Sequence, residues 1–363
     1  MTRRLPTPVV GRVAAILSVA ALVVSGCGSQ ATPSAGVPTG AAGGGPGASA
    51  VSVPPPAAVG VAASASPSGA APASAAQTNP GVTATLLHTH LPSPLSRAVV
   101  GALGGAVLVI GGLGPKGTTG AILRIDPASG TVTRAGRLAA AVHDASGAPL
   151  NGSWLVMGGG RTVAVASIQQ VSASGSTAAA ALVGSLPAAR ADGAAVAVGG
   201  RILVVGGGRG GVPDGTVLAT RDGVHFSRLA TLAVPVRYGA VAAFGGAVYV
   251  FGGSTTRGDT DAVQRIDPVT GAVRVVGHLP RPVSEATAFV LGGRILVAGG
   301  MRAGRPTAAI LAFSAATGHA SAVGRLPEAV ADAGVALIGT TAYLVGGETG
   351  TVYLASVIAI RQE

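Results

Sequence analysis

A pair of glycines preceded by an apolar run returns six times along this chain. The pairs begin at Gly111, Gly158, Gly206, Gly252, Gly299 and Gly346, at intervals of 47, 48, 46, 47 and 47 residues. A second landmark is a leucine, followed by proline in four of six copies. It falls at Leu91, Leu138, Leu186, Leu232, Leu279 and Leu326 and keeps the same intervals. Two landmarks in one register mark an internal repeat. A unit of this length cannot bury both of its faces alone, so its neighbours must cover it.

Each repeat reads as four strands. In the fifth, Ala286 to Leu291 is apolar and ends at the turn Gly292-Gly293. Arg294 to Ala298 follows and ends at Gly299-Gly300. Ala308 to Phe313 is a third strand, and His319 to Val323 a fourth after the turn Thr317-Gly318. Glycine supplies the positive φ that tight hairpins need. The turns Asp126-Pro127-Ala128-Ser129-Gly130 and Asp267-Pro268-Val269-Thr270-Gly271 carry turn-forming residues at the matching place in other repeats.

Six such units stacked around an axis bury one another's faces. The last repeat stops at Ile358-Ala359-Ile360, which matches the third strand Leu123-Arg124-Ile125, so its fourth strand is missing. Ahead of the first repeat, Ala84-Thr85-Leu86-Leu87 matches the fourth strand Thr131-Val132-Thr133-Arg134 in register. Val82 to Glu363 is 282 residues, six times 47. The expectation is an all-β fold: a six-bladed β-propeller of four-stranded blades over residues 80–363, closed by an N-terminal strand that completes the last blade.

With its leucine–proline, small residue, strand and Gly-Gly rhythm, the chain resembles the kelch family over residues 82–363. Kelch blades carry an apolar strand, a glycine pair, then a Tyr and a Trp. That aromatic half is mostly absent, although Trp154, Tyr249 and Tyr343 sit just before glycine pairs. The resemblance implies that the first strand of each blade lines a central channel. It also implies that the loops from fourth to first strand share a face with those from second to third.

Aligned on that architecture, the residues six places after each landmark leucine are Arg97, Asp144, Asp192, Tyr238, Glu285 and Asp332. All are polar or charged in a chain with 10% charged residues. His143 and Arg237 precede two of them. On the second loop, Arg161, Arg209 and Arg302 occupy one aligned position, where the other repeats have Gly114, Thr255 and Thr349. These are the ligand-binding candidates. Arginine binds carboxylate or phosphate bidentately, and Asp and Glu accept from sugar hydroxyls. The alternative is that each acid pairs with a neighbouring arginine and only joins blades.

The two ends say where such a domain works. Arg3, Arg4 and Arg12 precede an apolar run from Val13 to Val24. That run is too short for a bilayer span, which needs about 20 residues, and suits a signal peptide over residues 1–26. Val24-Ser25-Gly26-Cys27 resembles the bacterial lipobox, which implies that Cys27 is lipidated. The tether, residues 27–79, is almost wholly Ala, Gly, Pro, Ser, Val and Thr beyond Cys27. It lacks the apolar surface to offset the entropy of ordering. The expected location is exported and lipid-anchored on the outer face of the cell membrane, with the membrane as a partner through Cys27.

The formal charge is +11 and Lys116 is the only lysine. No basic cluster is interleaved with aromatics, so nucleic acid is not an expected partner. No metal site and no cofactor is expected. Galactose oxidases also carry kelch blades, but their copper chemistry needs a cysteine–tyrosine crosslink, and Cys27 is the only cysteine. His88 and His90 share one strand face without a third ligand. Gly206-Gly207-Gly208-Arg209-Gly210-Gly211 is similar to a phosphate loop but opens no helix. Three readings stay open: a binding or scaffold module for glycan or envelope protein, a sugar-acid mutarotase similar to the bacterial sialic acid mutarotases, and a structural subunit of an envelope complex. The first does not require catalysis.

Overall fold

A computed structural model describes residues 81–363. The signal-like segment 1–26, Cys27 and the tether 27–79 lie outside the described residues. Among the described residues there are strands, turns and bends but no helix. Six four-stranded antiparallel sheets form the six blades of a propeller. Blade 1 runs outward through Val99–Leu103, Ala106–Ile110, Ala121–Ile125 and Val132–Arg137. The innermost strands of blades 2 to 6 are Ser146–Leu150, Ala194–Val198, Ala240–Phe244, Thr287–Leu291 and Gly334–Ile338. In blade 6 the outermost strand, Val82–His90, comes from the start of the propeller. It pairs antiparallel with Ser356–Gln362, Val82 opposite Gln362 and Leu86 opposite Ile358.

The apolar residues form six clusters, and each lies between two neighbouring blades. The second strand of every blade is buried on both faces, as in Ala106–Ile110 and Ala247–Phe251. Such strands read as continuous apolar runs without alternation. Where aromatics occur they fill specific gaps. Trp154 of blade 2 lies where a side chain on Gly101 of blade 1 would be, and its indole N–H donates to the Ala102 carbonyl at 2.9 Å. Tyr249, Phe251 and Phe313 meet between blades 4 and 5, with Phe251 and Phe313 edge-on at 5.3 Å.

Both sequence landmarks are joints. The N–H of the second glycine of each pair donates to a carbonyl of the next blade: Gly112 to Val142, Gly159 to Arg190, Gly207 to Val236, Gly253 to Val283, Gly300 to Val330 and Gly347 to Leu95, all at 2.8–2.9 Å. The first glycine touches the same carbonyl. A Cβ on Gly252 would stand 2.1 Å from the Val283 oxygen, and one on Gly346 would stand 2.2 Å from the Leu95 oxygen. Both glycines of a pair also have positive φ, as at Gly252 (58°) and Gly253 (102°). The landmark leucines are all buried, and the Leu91 N–H donates to the Ala355 carbonyl of blade 6 at 2.8 Å.

The turn assignments hold as well. Asp126 accepts from the Ala128 and Ser129 amides, and Asp267 from Val269 and Thr270. The structure adds elements that the repeat pattern does not reveal. In blades 1, 3, 4 and 5 the loop between second and third strands folds into a small hairpin, such as Gly208–Arg209 with Val212–Pro213. Blade 2 carries a long outer hairpin, Ser167–Ser174 with Thr177–Ser185.

Two substitutions separate backbone strain from the interblade contact. Gly252→Ala meets both, whereas Gly245→Ala has φ 57° and open space around the new methyl group. Strain alone costs about 1 kcal/mol, so Gly245→Ala should cost that much. Gly252→Ala should cost about 3 kcal/mol, because the Val283 carbonyl must also be displaced. Equal losses in denaturant unfolding would remove the contact from the account.

Candidate functional site

The six innermost strands enclose a channel of about 560 Å³, a volume typical of small-molecule sites. Its wall is made by those strands, with Ala102, Pro149, Ala197, Ala243, Val290 and Leu337 at one aligned level among the lining residues. The wall is therefore apolar and built mostly from small residues.

One mouth of this channel is chemically different. Arg97, Asp144, Asp192, Tyr238, Glu285 and Asp332 all line it. Their backbones are joined in a closed ring of six hydrogen bonds. The Asp144 N–H donates to the Arg97 carbonyl, Asp192 to Asp144, Tyr238 to Asp192, Glu285 to Tyr238, Asp332 to Glu285, and Arg97 to Asp332, at 2.7–3.1 Å. All six have φ between 51° and 59°, a region that suits glycine and strains other residues.

The side chains converge on Arg97. Its Nε lies 3.2 Å from Asp332 Oδ2, its Nη1 3.6 Å from Asp144 Oδ2, and its Nη2 donates to Glu348 Oε1 at 3.3 Å. Arg237 donates to Asp192 Oδ2 at 3.3 Å and stacks over the Tyr238 ring at 4.8 Å. His143 Nε2 lies 3.5 Å from Asp144 Oδ2, and its Nδ1 is 2.8 Å from the Thr118 hydroxyl. Five carboxyl groups thus share two guanidiniums in a partly buried space. Glu285 Oε2 and Asp332 Oδ2 are sealed from solvent and accept no well-aligned hydrogen bond, Asp332 Oδ2 meeting Arg97 only as an ion pair.

Burial and crowding move the protons. Burial pushes the Asp144 carboxyl up to about 7; Arg97 opposes this, while Asp192 and Glu285 add to it. Asp332 lies well above the usual carboxylate range, from burial first and then Glu285. Burial also raises Glu285 and Asp192, with Arg97 and Arg237 respectively opposing. Burial, then the Arg97 charge, lowers His143. For Arg97 burial pulls down, but Asp332, Asp144 and Glu348 outweigh it and hold the guanidinium above its ordinary value. Glu285, Asp332 and Glu348 each bring an oxygen to within 4.8 Å of the others. These are the described residues that can hold a cation, although Arg97 already places a positive charge beside two of them.

All six residues chosen from the first aligned position therefore meet at one mouth. Arg161, Arg209 and Arg302 do not line the channel. They stand on the second-to-third-strand loops, on the same side, since each of those loops bridges the residue just before a ring residue. Glu348 was missed by sequence reasoning. Its signal was present: two places after the first glycine the repeats have Leu113, Gly160, Gly208, Ser254 and Met301, and only the last has a carboxylate. Arg190 is a buried arginine with a structural task. It donates to the Gly206 and Thr216 carbonyls and to Asp214.

The shifts set a pH dependence. A carboxyl whose folded pKa is raised favours the fold below its unfolded pKa, and that advantage is lost as pH rises toward the folded pKa. Asp144, Asp192, Glu285 and Asp332 all act in this sense above about pH 4. His143, lowered in the fold, opposes them below about pH 6.5. The lowered carboxyls Asp126, Asp214, Asp222 and Asp267 act only below about pH 4. Stability in urea should therefore fall from pH 5 to pH 8, and Asp144→Asn should flatten the slope. Stability that rises across that interval would contradict the account.

Residues 235–280 match the family model described as Kelch motif. No curated protein sequence matches the chain. A solved structure titled "Structure of YjhT" superposes with a TM-score of 0.63 at 16% sequence identity, covering 74% of this chain and 95% of that one. At that identity the likeness concerns the fold. Six four-stranded blades around a channel, with this motif matched in the fourth, make the chain a six-bladed β-propeller carrying a Kelch motif.

Proposed function

We propose that this propeller is a binding module of the cell envelope whose channel mouth takes a neutral, hydroxyl-rich glycan. The observation that carries the reading is the strained ring. The chain has 59 glycines, yet at six positions where glycine would sit without strain it keeps side chains, and all six are polar or charged. Strain held at about 1 kcal/mol or more per residue marks side chains wanted for what they do. Carboxylates in excess accept hydrogen bonds from sugar hydroxyls, and the apolar wall suits the faces of a sugar ring. An acidic sugar fits less well, because Arg97 and Arg237 already face carboxylates. Envelope location rests on the signal-like start and Cys27. In a high-salt wash, Cys27→Ala should release the protein from the membrane fraction, whereas the wild type should stay bound.

The test is thermal denaturation of residues 81–363 with neutral oligosaccharides, amino sugars and sugar acids. A ligand at 100 times its dissociation constant should stabilise by about 2.7 kcal/mol. The doubly substituted Asp144→Asn, Glu285→Gln protein should stay folded and lose the shift. If no glycan shifts the wild type, the ring serves only the joints between blades.

One observation favours a second reading, a sugar mutarotase. Asp144, with a pKa raised to about 7, is populated in both protonation states near neutrality. Opening a cyclic sugar needs one group to protonate the ring oxygen and another to take the proton of the anomeric hydroxyl as the carbonyl forms. Polarimetry on freshly dissolved sugars decides it: acceleration that disappears in Asp144→Asn supports catalysis, and an unchanged rate leaves binding alone.

A further inference from the structure

We infer that the mouth face of the propeller docks onto an anionic lipid bilayer, through a rim of basic and apolar loop tips that encircles the channel. The inference does not depend on what enters the mouth. It rests on the six loops between second and third strands. Each is bridged to the segment just before a ring residue: Leu113 to Ser96, Gly160 to His143, Gly208 to Ala191, Ser254 to Arg237, Met301 to Ser284 and Glu348 to Ala331. All six tips therefore surround one mouth.

The tips share a chemistry. Blades 1 to 5 place Lys116, Arg161, Arg209, Arg257, Arg302 and Arg305 there, all exposed except Arg302, which is half-buried. None of these six enters an ion pair among the described residues. The carboxylates of these loops are all engaged: Asp259 accepts from the Ser254 hydroxyl at 2.7 Å, Glu348 is buried against Arg97, and at the loop bases Asp214 pairs with Arg190 and Asp261 with His278. Between the charges stand Val163, Val212 and Val352, at 73%, 63% and 58% exposure. The opposite face differs in charge. Its turns carry Asp126, Asp222 and Asp267, and the valines exposed there, Val224 and Val269, stand next to these carboxylates instead of a basic rim.

Charge complementarity selects an anionic partner, and the valines select a bilayer over a soluble polyanion. Basic side chains gather anionic headgroups within a Debye length of the surface. Exposed apolar tips gain by entering the interface, as the apolar face of an interfacial helix does. A soluble polymer would leave the valines in water. The carboxyl cluster at the centre of the face is largely buried and paired with Arg97, which limits the negative charge it presents.

The test uses residues 81–363, whose six interblade cores close on themselves, with phosphatidylcholine vesicles prepared with and without phosphatidylglycerol. The protein should sediment with the anionic vesicles only, and salt should release it. Arg161→Ala, Arg209→Ala and Arg257→Ala together should lower partitioning by about a hundredfold. Arg134→Ala, Arg221→Ala and Arg274→Ala, which remove equal charge elsewhere, should change it far less. Val212→Trp should shift its emission to the blue on anionic vesicles, against a constant background from Trp154, which is buried. Asp144→Asn, Glu285→Gln should bind vesicles like wild type, so failure of the glycan reading and failure of this one are separable. Equal binding to both vesicle types, equal losses in the two triple variants, or polyphosphate competition with no emission shift would each overturn the bilayer assignment.

Discussion

One backbone joint, repeated six times, holds this molecule together. The second glycine of each pair donates its N–H to a carbonyl of the next blade, and the first glycine lies against that same carbonyl. Neither position tolerates a side chain, because the φ is left-handed and the space is taken by backbone. The six apolar clusters between blades supply most of the favourable burial. That burial is non-directional, and the glycine joints convert it into one angle between neighbours. Six equal angles close the circle.

Closure then dictates what happens at the axis. Two residues beyond each joint carbonyl, the chain must turn into the innermost strand. Six such turns meet in a narrow ring, where their N–H and C=O groups find one another instead of water. That arrangement places Arg97, Asp144, Asp192, Tyr238, Glu285 and Asp332 side by side, though they stand 46 to 48 residues apart in the chain. Crowding is thus a product of symmetry. Carboxyls brought together in a partly buried mouth cannot all keep their charge, and their raised pKa values follow from that geometry together with the two guanidiniums that offset it.

Much of this was legible in the chain. Gly-Gly and Leu-Pro carry their reasons locally, in φ and in burial, so strands, turns, blade number and the ring positions follow from spacing. Glu348 and the rim were harder to see. Glu348 reaches Arg97 from the other end of the domain, a separation of 251 residues that no local pattern encodes. Arg161, Arg209 and Arg302 align with one another in sequence as the ring residues do, yet they project at loop tips instead of lining the channel. The pairings in their loops span two residues at Arg209 and Arg302 and a single bridge beside Arg161, too short to leave a periodic signal.

By itself, the sequence determined the number of repeats, the strand order within a blade and the six axial positions. Each of these depends on residue types whose conformational limits act over a few neighbours. Only the tertiary structure decided which charges meet, which carboxyls are buried, and which arginines stand on a free rim. Those outcomes depend on distances across the ring, and such distances exist only once the circle is closed.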